Sequence, residues 1–104
     1  MKESDWKFFK QIKESALEGF CNQALEEFEA VIANKEVHAH DRYLHLYKLV
    51  QNRDKLMELL FDGHSRSRAP LQLLAIRREG LADESLIEKL SEELRQSSDP
   101  VRYI

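Results

Sequence analysis

Ser65-Arg66-Ser67-Arg68 alternates hydroxyls with guanidinium groups just ahead of Pro70. Arginine forks match the paired oxygens of phosphates and carboxylates, and the first turn of a helix presents N–H groups without intrahelical partners. Proline two or three residues later suits that first turn, because its missing N–H costs no hydrogen bond there. Ser65, Arg66, Ser67 and Arg68 therefore form a candidate anion-binding site within the basic segment 64–78. Arg53 is a second candidate cation. At about 100° per residue it falls inside the apolar arc of Leu46, Leu49, Val50, Leu56, Met57 and Leu60. A guanidinium in that position needs a partner, since an unpaired buried charge is costly. Glu26, Glu27 or Glu29 can supply one as a structural ion pair; alternatively Arg53, with Tyr43 or Tyr47, lines a pocket for an acidic ligand.

His38, His40, Asp41 and His45 are the densest set of potential metal ligands. Asp41 and His45 are one helical turn apart, and imidazole with carboxylate suits zinc or iron. The spacing lacks the His-Glu-x-x-His and Glu-x-x-His patterns of zinc proteases and di-iron bundles, so this metal site is the weaker alternative to a helix-capping Asp41 beside solvated histidines. Cys21 is the single cysteine, which rules out an intramolecular disulfide and four-cysteine zinc sites. It lies on an apolar helix face, where cysteine behaves as a small hydrophobe. The three glycines are isolated from one another, so neither a phosphate-binding glycine loop nor a Gly-x-Ser-x-Gly elbow exists. No catalytic residue and no cofactor is predicted.

The elements that would carry these residues are all helical. The first is predicted from Ser4 or Asp5 to about Ala33, with Trp6, Phe9, Ala16, Leu17, Phe20, Cys21, Ala24, Phe28, Val31 and Ile32 at helical spacing and Asn34 as a left-handed stop. Gly19 interrupts its composition but not its rhythm. The second, capped by Asp41, runs to Phe61 and stops at Gly63. It is apolar over so wide an arc that a central, buried position is expected. The third runs from about Ser67, capped by Ser65 or Ser67, to Glu79, with Gly80-Leu81 as a Schellman stop. Asp83 or Ser85 caps a fourth helix, with Ser85 and Glu88 at capping-box spacing and Leu86, Ile87, Leu90 and Leu94 on its buried face. The prediction is one all-α domain over residues 1–104: a small antiparallel bundle of four main helices, with a frayed tail from about residue 97.

At 104 residues and 42% hydrophobic content, such a domain can bury over ~60% of its unfolded surface. Charge is uneven. Residues 63–80 hold four arginines and one glutamate, whereas the flanking segments 1–36 and 81–104 each total −3, giving −3 for the chain. A helix-turn-helix reading of the last two helices fails, because the would-be recognition helix carries five acidic and two basic residues. Nucleic acid is thus an unfavoured partner. The start of the chain has no apolar signal region and no run suits a membrane span, so a cytoplasmic location is expected. The third helix is apolar on opposite sides, which points to self-association as a homodimer or to contact with another protein.

Overall fold

The computed structural model describes residues 1–103, with Tyr103 described by its backbone only. All regular structure is helical: α1 Glu3–Ala33, α2 Ala39–Phe61, α3 Ala69–Arg78, α4 Glu84–Ile87, α5 Glu92–Ser97 and a 3₁₀ turn Pro100–Tyr103. α1 and α2 form a long antiparallel hairpin; α3, α4 and α5 pack around its open end. The core lies there. Trp6, Phe9, Ile12, Ala16 and Phe20 of α1 meet Leu60 and Phe61 of α2, Ala69, Leu73 and Ile76 of α3, and Ile87, Leu90 and Leu94 beyond. Gly80, at φ +71, ends α3 in the predicted Schellman geometry, with the Leu81 N–H donating to the Ile76 carbonyl at 3.2 Å. Gly63, at φ +84, likewise turns the chain after α2.

Several predicted ends are corrected. α1 starts at Glu3 rather than at Ser4 or Asp5. Asp5 is buried in the first turn and holds Ser91, the cap of α5, from across the fold: its Oδ1 accepts from the Ser91 N–H at 2.8 Å and its Oδ2 from the Ser91 hydroxyl at 2.6 Å. The Ser91 hydroxyl in turn accepts from the Leu94 N–H. This relay is why the expected fourth helix is two short ones. Ser91 leaves helical geometry (ψ 153) to reach Asp5 and restarts the chain as α5. Asp83 caps α4, accepting from both the N–H and the hydroxyl of Ser85, so Ser85 is not the cap. Asp41 sits in the first turn of α2 with His38 at the cap position. α3 starts at Ala69, because the Ser65 and Ser67 hydroxyls bond to each other at 2.8 Å rather than to its N–H groups. Asn34 ends α1 at φ −77, outside the left-handed region.

The largest departure concerns α2. Of its many apolar residues only Leu60 and Phe61 are buried, so it is a flank of the hairpin rather than a central helix. After α5 the chain stays packed through Ser98, which is buried and donates from its hydroxyl to the Leu94 carbonyl at 2.6 Å. Val101 is exposed; any docking of the Tyr103 side chain or Ile104 lies outside the described residues.

Candidate functional site

The basic loop after α2 is built onto the first turns of α1. Trp6 is the platform: the His64 ring lies 4.8 Å from it, and the Arg66 guanidinium sits 5.2 Å from its centroid. Arg66 also forms a two-pronged ion pair with Glu3, which holds the Glu3 carboxyl below its usual range through that hydrogen bond and the adjacent positive charge. Lys13 donates to the Gly63 carbonyl at 2.5 Å, and partial burial lowers its pKa despite the opposing charge of Asp62. The Gln72 amide closes the end of α2 by donating to the carbonyls of Leu60 and Asp62 at 3.0 and 3.1 Å. Of the four residues singled out at 65–68, only Arg68 makes no side-chain hydrogen bond or ion pair among the described residues. It lies exposed at the start of α3, beside a groove of about 330 Å³ lined by Leu59, His64, Leu71 and Ala75.

Arg53 stands apart from this loop. It pairs with Glu27 at 2.7 Å and covers the Phe20 ring at 5.2 Å, half-buried between α1 and α2. Phe20 and Trp6 are fourteen residues apart on α1, roughly 21 Å along the axis. The fold therefore does not bring Arg53 together with Arg66 and Arg68. His38, His40, Asp41 and His45 are all exposed at the far end of the hairpin, and no group of three His, Cys, Asp or Glu side chains among the described residues can hold a metal ion. Adjacent positions on one helix diverge by about 100°, and no other element covers that end to complete a ligand set. Cys21 is half-buried against the core cluster. A groove of about 510 Å³ lies between the start of α1, α3 and α5, but its Asp5 and Arg66 are engaged by Ser91 and Glu3.

Comparison with protein families, curated proteins and solved structures returns no match.

The remaining surface feature is apolar. Beyond the core the α1–α2 hairpin leaves Leu17, Leu25, Ile32, Tyr43, Leu44, Tyr47 and Val50 exposed, with Tyr43 at 68%, Tyr47 at 58%, Leu25 at 56% and Ile32 at 50%. These residues belong to rows distinct from those that join the helices. On α1 the row facing α2 includes Phe20, Ala24, Glu27 and Val31; beside it runs Leu17, Cys21, Leu25, Phe28 and Ile32, at steps of three and four. On α2 the row Leu46, Leu49, Arg53, Leu56 and Leu60 faces α1, and beside it run Tyr43, Tyr47 and Val50. Both outer rows lie clockwise of the contact row seen from each helix's own start, and antiparallel helices thereby place them on the same side. Ile32, Tyr43 and Leu46 accordingly line one shallow groove near the tip. Arg42 closes that tip, donating to the carbonyls of Ile32 at 2.7 Å and Val37 at 3.1 Å. Sequence reasoning located Leu17, Ile32, Tyr43, Leu44, Tyr47 and Val50 but missed Leu25, and it assigned the face to the core, because an arc wide enough for two contacts reads as one buried face.

Proposed function

We propose that this chain is a non-catalytic, cytoplasmic protein-contact module whose working surface is the outer apolar face of the α1–α2 hairpin. The observation that carries this reading is the alignment of two exposed apolar rows, two of whose members are tyrosines, on one side of a hairpin with no other element above it. Clustered exposed apolar side chains of this kind mark contact surfaces, and tyrosine is enriched in them. Among the described residues no helix is long and apolar enough to cross a membrane. Affinity capture from the native host tests it, comparing the wild type with Tyr43→Lys/Tyr47→Lys. The expected result is that a specific partner, either another protein or the chain itself, is retained by the wild type and lost by the variant. Equal retention by both overturns the reading.

A second reading rests on Arg68. An arginine without an acceptor at the start of a ten-residue helix suits a small anionic or phosphorylated ligand. Inorganic phosphate at 100 times its dissociation constant would then stabilise the chain by ~2.7 kcal/mol, and Arg68→Met would abolish that gain. The loss of Arg66 and Arg53 to Glu3 and Glu27 makes this site much smaller than the sequence implies.

A further inference from the structure

We infer that the occupant of the hairpin face is a basic amphipathic helix of a partner protein, its apolar stripe on the outer rows and its lysines or arginines on the carboxylates that border them. The inference rests on the contact reading above and adds the partner's chemistry. Four carboxylates share that side of the hairpin. At about 100° per residue, Glu14 falls within the outer row of α1 and Glu18 along its edge; Asp54 and Glu58 stand likewise on α2. All four are exposed, and none forms a side-chain hydrogen bond or ion pair among the described residues. They precede Leu25 and Ile32 on α1 and follow Tyr43, Tyr47 and Val50 on α2, which in an antiparallel hairpin puts both pairs toward the base.

The nearby cations of the chain are turned elsewhere. Between Glu14 and Ala33 α1 has no lysine or arginine, and Lys48 and Lys55 project from the back of α2, nearly opposite α1. Lys10, one turn before Glu14, lies over Trp6 at 6.0 Å, Lys13 donates to the Gly63 carbonyl, and Arg42 is held by the carbonyls of Ile32 and Val37. Charge therefore selects the occupant. A second copy docking by the same face brings the same carboxylates, and an anionic lipid surface or a nucleic acid is repelled by them. A partner with lysines or arginines beside an apolar stripe satisfies both halves of the face. Its form follows from the rows: side chains at three- and four-residue steps on two antiparallel helices leave a groove that a third helix fills.

The probe is a labelled leucine–lysine peptide of about 18 residues, roughly the 27 Å from Glu14 to Ile32, with its leucines at helical spacing. Fluorescence anisotropy at low salt is expected to show binding, with a gain of peptide helicity in circular dichroism. A scrambled peptide of the same composition, and one with glutamate for lysine, should bind at least about tenfold more weakly. Glu14→Lys/Glu18→Lys should weaken the lysine peptide by about tenfold without loss of protein helicity, since both positions are exposed. Glu79→Lys/Glu88→Lys makes the same change of charge at the ends of α3 and α4 and should leave binding nearly unchanged. Equal binding of the scrambled peptide, or equal loss from Glu79→Lys/Glu88→Lys, means attraction by net charge alone and overturns the inference. Tighter binding of the glutamate peptide overturns it while leaving the contact surface standing, as does a wild-type dimer in sedimentation equilibrium that the lysine peptide cannot displace. No binding of the lysine peptide also overturns it; the contact reading falls with it only if capture from the host survives Tyr43→Lys/Tyr47→Lys.

Discussion

Arg53 shows how one residue's role depends on what faces it. Its place in the apolar arc of α2 requires a partner, and Glu27 was one of three carboxylates able to reach it; the structure selects Glu27 and adds the Phe20 ring. A pair this far from full burial contributes modestly, so Arg53→Met is expected to lower stability by about 0.5–2 kcal/mol in urea unfolding, and Glu27→Gln in that background to add little more. Gly19 is the converse case. A methyl group added there would stand 3.8 Å from the Leu81 side chain, an ordinary contact, so Gly19→Ala should stabilise the helix by up to ~1 kcal/mol. A fall in the unfolding midpoint would show that the site is tighter than this. Glu3 and Asp83 both have lowered pKa values, the first from Arg66 and the second from Ser85. Carboxyls with depressed folded-state values contribute stability above their unfolded pKa and lose it as pH falls through the folded one. Stability should therefore decline below the ordinary carboxylate range, near pH 4. Arg66→Met should flatten part of that decline in midpoints measured across acid pH.

At the scale of elements, the break between α4 and α5 depends on an interaction spanning the length of the chain. Ser91 begins α5 only because Asp5, at the other end of the sequence, receives both its N–H and its hydroxyl. Ser91→Ala removes the cap and one acceptor contact of a buried carboxylate, for an expected loss of about 1–3 kcal/mol by thermal or urea unfolding. A neutral result would mean that α5 is held by Leu94 alone. Local rules were reliable where one residue decides the conformation, as at Gly63 and Gly80, whereas Asp83 was one of two caps the sequence allowed. They failed where a side chain had competing partners: the Ser65 and Ser67 hydroxyls can cap α3 or bind each other, and only the placement of the loop on Trp6 determines which.

For the whole molecule, stability is concentrated at one end. The buried core takes α1 only as far as Ala24 and α2 only at Leu60 and Phe61, while the tip half of the hairpin is held by half-buried residues, Arg53–Glu27 and the Arg42 bonds. Hydrogen exchange should therefore be fast for amides from about Asn22 to Gln51 in dilute protein and slow around Phe9 to Phe20.

The sequence alone was sufficient for the all-helical class, the extent of α1, the stops at Gly63 and Gly80, and most of the apolar residues, Ile12 and Leu25 excepted, since each follows from periodicity or from the conformational freedom of a single glycine. It also confined the candidate cations to Arg53 and the 65–68 loop. Which arginines are neutralised, and which apolar rows are buried, was decided by tertiary structure. Helical periodicity records that a face is apolar but not what lies against it. α1 and α2 each carry two apolar rows, and a two-helix hairpin can bury only one row of each; the outer rows are left exposed because α3, α4 and α5 are too short to reach beyond its base.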